Sequence, residues 1–298
     1  KLNTEPMYEN GKLFNLSEKE MTMRPINMDE LVTDKAVRFI RKEKEKPFFL
    51  YVAYSLVHEP MEYHEKYPVE NTDWPDEERA FASMLKALDD YVAKILSAVD
   101  DTGIAENTII IFTSDNGAHN EGGHDVDFFN SNGDFKEYKR SFHEGGFHSP
   151  LIVRWPGVVP PGSTSNHISA FWDVMPTLCD IAGAPIPEHT DGISFLPVLK
   201  GEEQQKHEFL YWEFNQNITF SKQYKQAVRM DDWKGIYYID EGTFELYNLK
   251  MDISEKQNVA HEHPDIVVEM RKIMEREHTP SERFPLLKHE RSVANTSN

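Results

Sequence analysis

One cysteine, Cys179, is present in 298 residues. That excludes an internal disulfide framework and a cysteine-based zinc cluster. Positive charge is also scarce: Lys and Arg total 32 against 51 Asp and Glu, a formal charge of −19. Such a balance speaks against a nucleic-acid partner, whose phosphates need a basic stripe, and against a polybasic membrane patch. It leaves room for a small anionic substrate, because a few local cations or a metal ion outweigh the global sign. No apolar run approaches the length of a membrane span, so no membrane insertion is expected. No basic-then-apolar leader is visible, and the chain opens on Lys1 rather than methionine, as a processed or truncated piece would. What is there is 39% hydrophobic and 12% aromatic, enough for a packed core. The length fits one sizeable domain with a small satellite.

Residues 1–27 are polar and aperiodic, and read as irregular. From Met28 to Lys44, Val32, Ala36, Phe39 and Ile40 fall on one helical face. The run Phe48 to Tyr54 is apolar at both parities, which predicts a strand buried on both faces, as in parallel sheets. From Asp76 the spacing of Phe81, Met84, Leu85, Leu88, Tyr91, Val92, Ile95 and Leu96 predicts a long helix ending at Gly103. Thr108 to Thr113 predicts a second strand of the same kind. Strand, helix, strand is a βαβ-type order, so the fold expected is α/β with a mostly parallel sheet. Ligands of such sheets bind beyond the carboxyl ends of the strands, where Ser114-Asp115-Asn116-Gly117 falls. Residues 117–149 form a long loop rich in Gly, Asn, Asp and His, a length that is usually functional. Asp173 to Ala182 predicts a helix. After residue 205, short strands at 209–214, 226–230, 235–239 and 244–246, then a helix from Pro264 to Glu277, predict a small antiparallel sheet with a helix on it. Two domains are therefore expected, 1–204 and 205–298.

Four features could carry chemistry. Asp115 and Asn116 are adjacent hard oxygen donors of the kind calcium or magnesium prefers, although Asn-Gly is also a plain turn signal. His58, just past the first predicted strand, could donate to an anionic oxygen or act as a general acid; for any one of 13 histidines, a loop position without a role is the plainer reading. Lys139, in a loop held by glycines, could point a charge at a sulfate or phosphate, or belong to a solvated basic cluster. His119, Glu121, His124, Asp125 and Asp127 crowd one loop and are metal ligands by type, yet their spacing fits no zinc signature, and a hydrated polar loop explains them as well.

Order changes the weighing. Phe48 to Pro60, the helix with Leu88-Asp89-Asp90, Asn107 to Gly117, Lys139 to Pro150, Arg154-Trp155-Pro156-Gly157, Asp173 to Leu178, Asp191 to Pro197, Asp232-Trp233-Lys234 and Glu245 to Leu249 follow one another as in the formylglycine-dependent sulfatases. The chain resembles that family, part of the alkaline phosphatase superfamily, from about residue 25 to its end. The resemblance implies an alkaline phosphatase-like sheet sandwiched by helices. It implies hydrolysis of sulfate monoesters, with sulfated carbohydrates as the substrate class. Position by position, Asp115 and Asn116 match half of the calcium site, His58 the histidine at the leaving oxygen, and Lys139 the lysine on a sulfate oxygen. His124 and Asp125 resemble a Gly-Gly-His-Asp loop of some members, which makes His124 a candidate substrate contact.

The family's strand-end Asp-Asp pair has no counterpart, since Asp89-Asp90, Asp100-Asp101 and Asp231-Asp232 fall inside the predicted long helix, at its end and in a predicted hairpin turn, and the Cys-x-Pro-Ser-x-Arg motif, the source of formylglycine, does not occur in the 298 residues. Cys179 precedes Asp180-Ile181-Ala182 and does not fit it. The expectation is a chain lacking its amino-terminal third and inactive alone. A periplasmic, extracellular or lysosome-like location is implied by the resemblance alone. Two alternatives stand beside it: a phosphodiesterase or phosphonate hydrolase of the same superfamily, and a non-catalytic glycan-binding pseudo-enzyme. The loops at 61–75, 119–137 and 212–224 are expected to wall the pocket.

Overall fold

A computed structural model describes residues 7–9, 12–14, 25–218 and 221–296. The chain divides into two compact units, Lys1–Ile110 with His119–Ser131, and Ile111–Ala118 with Asn132–Asn298.

In the first unit a short antiparallel pair, β1 (Met7–Glu9) and β2 (Lys12–Phe14), occupies part of the stretch read as irregular; the rest of that stretch up to residue 24 lies outside the described residues. Helix α1 (Pro25–Glu43) begins three residues before the predicted start. Helix α2 (Asp76–Asp101) runs as the spacing predicts. Asp76, Glu77 and Glu78 in its first turn face the positive end of the helix dipole, and Gly103 at φ 72° turns the chain away. Met84, Ala87 and Tyr91 bury one stripe against Leu56 and Tyr67, and Ala98 and Val99 meet Ile40 of α1. At roughly 1.5–3 kcal/mol for each large side chain removed from water, this stripe is the main reason the helix forms.

The segment 48–54 departs from expectation. It is extended but belongs to no strand ladder among the described residues. Its burial alternates: Phe48 and Leu50 pack on the helices, whereas Phe49 is 71% and Tyr51 77% exposed. An apolar residue at every position does not mean that both faces are covered; only the inner parity found a neighbour here. Strand β3 (Ile110–Thr113) pairs with β4 (Leu151–Arg154). Neither strand has a fully buried residue, so the second predicted two-faced strand is also corrected. Among the described residues, no sheet larger than this two-stranded pair forms where the large sheet is expected.

In the second unit, α3 (Glu144–Phe147) is a single turn. Helix α4 (Val174–Ala182) and the turn α5 (Leu196–Leu199) are tied by Asp173. Its buried carboxylate accepts the N–H of Ala170 at 2.7 Å, the N–H of Ile193 at 2.8 Å and the His207 Nε2–H at 2.8 Å. The motifs at 173–178 and 191–197 are thus two halves of one hydrogen-bonded knot. Strands β5 (Leu210–Ile218), β6 (Ser221–Met230), β7 (Trp233–Tyr238) and β8 (Thr243–Asn248) form an antiparallel meander in sequence order. Residues 212–218 and 221–224, expected as a loop, are paired strand, with Glu213 opposite Gln226. Two residues between them, 219 and 220, lie outside the described residues. Helix α6 (Pro264–Glu277) spans the predicted residues and seats Met270, Ile273 and Met274 on Val228 and Leu246.

The last helix, α7 (Lys288–Thr296), is held by a histidine between two carboxylates. His278 donates from Nδ1 to Glu213 at 2.7 Å and from Nε2 to Glu290 at 2.8 Å. Burial opposes the imidazolium, but the two carboxylates outweigh it and raise the His278 pKa above the usual histidine value. A raised folded-state pKa means stability that is whole below the unfolded pKa and lost as pH climbs through the folded one. Helix α7 should therefore loosen on the alkaline side of neutrality and not on the acid side of it. Amide exchange of residues 288–292 between pH 6 and about 9 checks this; equal protection across that window in wild type and His278→Ala would refute the latch.

Candidate functional site

His58 closes a turn beyond the extended segment, its N–H donating to the Ser55 carbonyl at 2.9 Å. The turn is shaped by Asp29 on α1, a residue that no sequence signal singled out. The Asp29 carboxylate accepts the Ser55 N–H at 2.9 Å, the Leu56 N–H at 2.8 Å and the Ser55 hydroxyl at 3.1 Å. Burial pushes the Asp29 carboxyl up, and these three bonds pull against it. The His58 Nδ1 lies 3.0 Å from the Glu59 carbonyl, which can only accept, so Nδ1 is a donor. The Nε2 lies 3.4 Å from a carboxylate oxygen of Glu121.

His119 joins the two sides of this pair. It donates from Nε2 to the Val57 carbonyl at 3.0 Å, and its Nδ1 accepts the Glu121 N–H at 3.1 Å. These partners fix the tautomer: a carbonyl takes a proton, an N–H gives one. One buried imidazole thereby grips the residue before His58 and the residue whose carboxylate faces it.

His124 is fully buried. Its Nδ1 faces Glu78 at 2.7 Å, and its ring lies flat on Phe81 with centroids 3.8 Å apart. The other Glu78 oxygen accepts the Asp125 N–H at 2.7 Å. The Nε2 of His124 is the ring atom left for another group, and it is buried without a hydrogen-bond partner. His119 and His124 are packed among aromatics, so the hydrated-loop reading fails for both. No three of the His, Cys, Asp or Glu side chains among the described residues are grouped to hold a metal ion.

In the second unit, Asp115 is exposed and Asn116 half-buried, directly after β3. Asn116 donates its Nδ2 to the Gly117 carbonyl at 2.8 Å, which leaves Oδ1 as its hard donor atom. Two oxygens suit calcium in kind but fall short of the six to eight it takes. The Lys139 loop crosses this strand end backbone to backbone. The Gly117 N–H donates to the Gly146 carbonyl at 3.0 Å, and the Lys139 N–H to the Ala118 carbonyl at 2.7 Å. A Cβ at Gly117 would stand 1.9 Å from the Gly145 carbonyl oxygen, so glycine is required by the approach itself. Lys139 is half-buried. Nearby, burial works against the Glu144 carboxylate, yet His148, Lys234 and Arg229 hold it down at about 2.

The site residues named from sequence thus fall into two groups: His58, His119, Glu121 and His124 in one unit, and Asp115, Asn116 and Lys139 in the other. A family model described as "Sulfatase" matches residues 3–184, and one for the C-terminal part of N-sulphoglucosamine sulphohydrolase matches residues 133–279. The chain belongs to the sulfatase family. A sulfatase of Formosa agariphila is 31% identical over 80% of the chain and 47% of its own length. An N-acetylgalactosamine-6-O-sulfatase of Bacteroides thetaiotaomicron is 30% identical over 83% of the chain and 50% of its own length. Among solved structures, that of Ps i-CgsB in complex with k-i-k-neocarrahexaose superposes with a TM-score of 0.77 at 29% identity, covering 91% of this chain and 57% of the other. The chain spans about half the length of the curated relatives it matches. With the sulfatases go the alkaline phosphatase-like architecture of these neighbours and a mixture of helices and antiparallel sheets.

The Glu78–His124 pair is the tightest buried contact of the His119–His124 loop. Removing one partner of a buried pair typically costs about 3–5 kcal/mol. Glu78→Ala is accordingly expected to lower the urea midpoint of this sulfatase chain by a corresponding amount, and a loss below about 1 kcal/mol would show the pair to be solvated.

Proposed function

We propose that this chain forms part of a sulfuric ester hydrolase acting on sulfated carbohydrates. Family membership is the observation that carries the reading. The carbohydrate part is supported by two similar proteins, one named for a 6-O-sulfated N-acetylgalactosamine and one bound to neocarrahexaose.

The chemistry needs a positive environment for a leaving sulfate and a donor for the alcohol oxygen. Lys139 supplies a cation for a sulfate oxygen, where neutralising charge lowers the barrier. His58 presents Nε2 to the bridging oxygen. Its Nδ1 is already committed to the Glu59 carbonyl, so a proton delivered from the ring leaves from Nε2. Glu121, 3.4 Å from Nε2, orients that side of the ring. Asp115 and Asn116 are half of the ligand set for one calcium ion, which when bound polarises the ester. Nothing in these residues supplies the nucleophile. In this reading a formylglycine serves as one, from sequence outside the 298 residues. Beyond its contacts to Glu78 and Phe81, His124 is assigned to the substrate through its Nε2. The mostly parallel central sheet, the division at residue 205 and a periplasmic, extracellular or lysosome-like setting belong to the same reading. No helix among the described residues is long and apolar enough to cross a membrane.

Three outcomes test it. The 298-residue chain should show no turnover of an aryl sulfate, and robust hydrolysis would overturn the assignment of the nucleophile. In an active full-length form, Asp115→Ala should abolish calcium-dependent activity, and Lys139→Ala should reduce kcat/KM by roughly a hundredfold, as loss of one charge-stabilising group does. A phosphate ester turned over faster than the matching sulfate ester would favour the phosphodiesterase or phosphonate hydrolase alternative. Glycan binding without any turnover by the full-length protein would favour the pseudo-enzyme.

A further inference from the structure

Two buried lysines of the small sheet and the half-buried Lys136 surround the Lys139 loop. Lys234 on β7 is 1% exposed. Its Nζ donates to Glu144 at 2.8 Å and lies 3.2 Å from Glu255. The second Glu255 oxygen accepts the N–H of Glu144 at 2.7 Å, so the two residues are joined by a backbone bond as well as through the ammonium between their carboxylates. Phe147 covers the ammonium, its ring centroid 4.9 Å away. Lys225 on β6, also buried, donates to the Arg140 carbonyl at 3.0 Å and lies over Phe142. Lys136 donates to the Tyr247 hydroxyl and to the Glu255 carbonyl, both at 3.3 Å. These contacts fall at residues 136, 140, 144 and 147, on either side of Lys139. The same loop is bonded to the strand end at Gly117 and Ala118.

We propose that Lys234 is a positioning residue for the Lys139 loop: by clasping Glu144 and Glu255 it holds residues 136–148 in register with the strand end that carries Asp115 and Asn116. A lysine this far from water is expensive unless both carboxylates are in place. The loop therefore has one favoured seating, and a displaced loop leaves charges unpaired. The sheet β5–β8 thereby acts on the site without touching a substrate. The functional weight of this assignment rests on the proposed role of Lys139; the structural part does not.

The test compares wild type with Lys234→Met, which keeps the stem and removes the charge, and Lys234→Arg, which restores a cation. Backbone exchange is read by NMR on the 298-residue chain, and 4-nitrophenyl sulfate is titrated while the Lys139 resonances are followed. In Lys234→Met, exchange of the Gly117 and Lys139 amides should rise about tenfold or more while the β6–β7 ladder amides keep wild-type protection. Lys234→Arg should recover part of that protection. Unchanged exchange at Gly117 and Lys139, or equal loss throughout the ladder, would overturn the proposal. Should Lys234→Met fail to fold, Glu255→Gln takes its place: the amide oxygen still accepts the Glu144 N–H, the charge is gone, and the same loop-confined rise is expected. Loop-confined exchange without any sulfate-ester response at Lys139 in wild type would keep the positioning role and sink the sulfate-binding reading.

Discussion

An ammonium without water must be given oxygens, and Lys234 is the place where this constraint governs the most structure. Its two carboxylates come from a one-turn helix about ninety residues upstream and a turn downstream of β8. In a medium of low polarity the attraction between such charges is several times what it is in water. The cost of leaving any one of them alone is correspondingly large. Once the lysine is buried, the positions of Glu144 and Glu255 are no longer independent. Neither, then, is the loop that begins at Lys136 and ends at His148.

The excess of acid in this chain is thus not only a solvated surface. Asp29, Glu78, Asp173 and Glu255 are all buried, and each accepts backbone N–H groups of a loop. A carboxylate can take several donors at once, so it can tie together chain segments too irregular to form a ladder. Asp29 does this for the turn before His58, Glu78 for the loop that carries His119 and Glu121. A chain with a net charge of −19 thus sends part of its acid inward as fastening.

Much of the architecture was legible because one-dimensional spacing reports a local partner. The stripe on α2 and the whole of α6 follow helical periodicity, and the meander β5–β8 follows alternation and turn residues. Phe48 to Tyr54 departs from its expectation for the opposite reason. Composition tells which faces could be buried, and only neighbours in space tell which ones are; Phe49 and Tyr51 stand exposed. His124 stands out in the sequence by residue type alone; that it stacks on Phe81 is not legible there, because Phe81 lies forty-odd residues away on a helix. Asp29, Glu144 and Lys234 carried no signal in spacing, since an ion pair between distant residues leaves no local period.

By itself the sequence determined the class of partner excluded by charge, the long helices, the small antiparallel sheet, and the order of motifs that places the chain among the sulfatases. Each depends on interactions between residues a few positions apart, or on the simple presence of side chains. Tertiary structure alone decided which histidines are buried, which carboxylates are fasteners and what holds the Lys139 loop. Those depend on long-range burial, where the cost of an unpaired charge or an unsatisfied N–H selects one arrangement from many that the sequence permits.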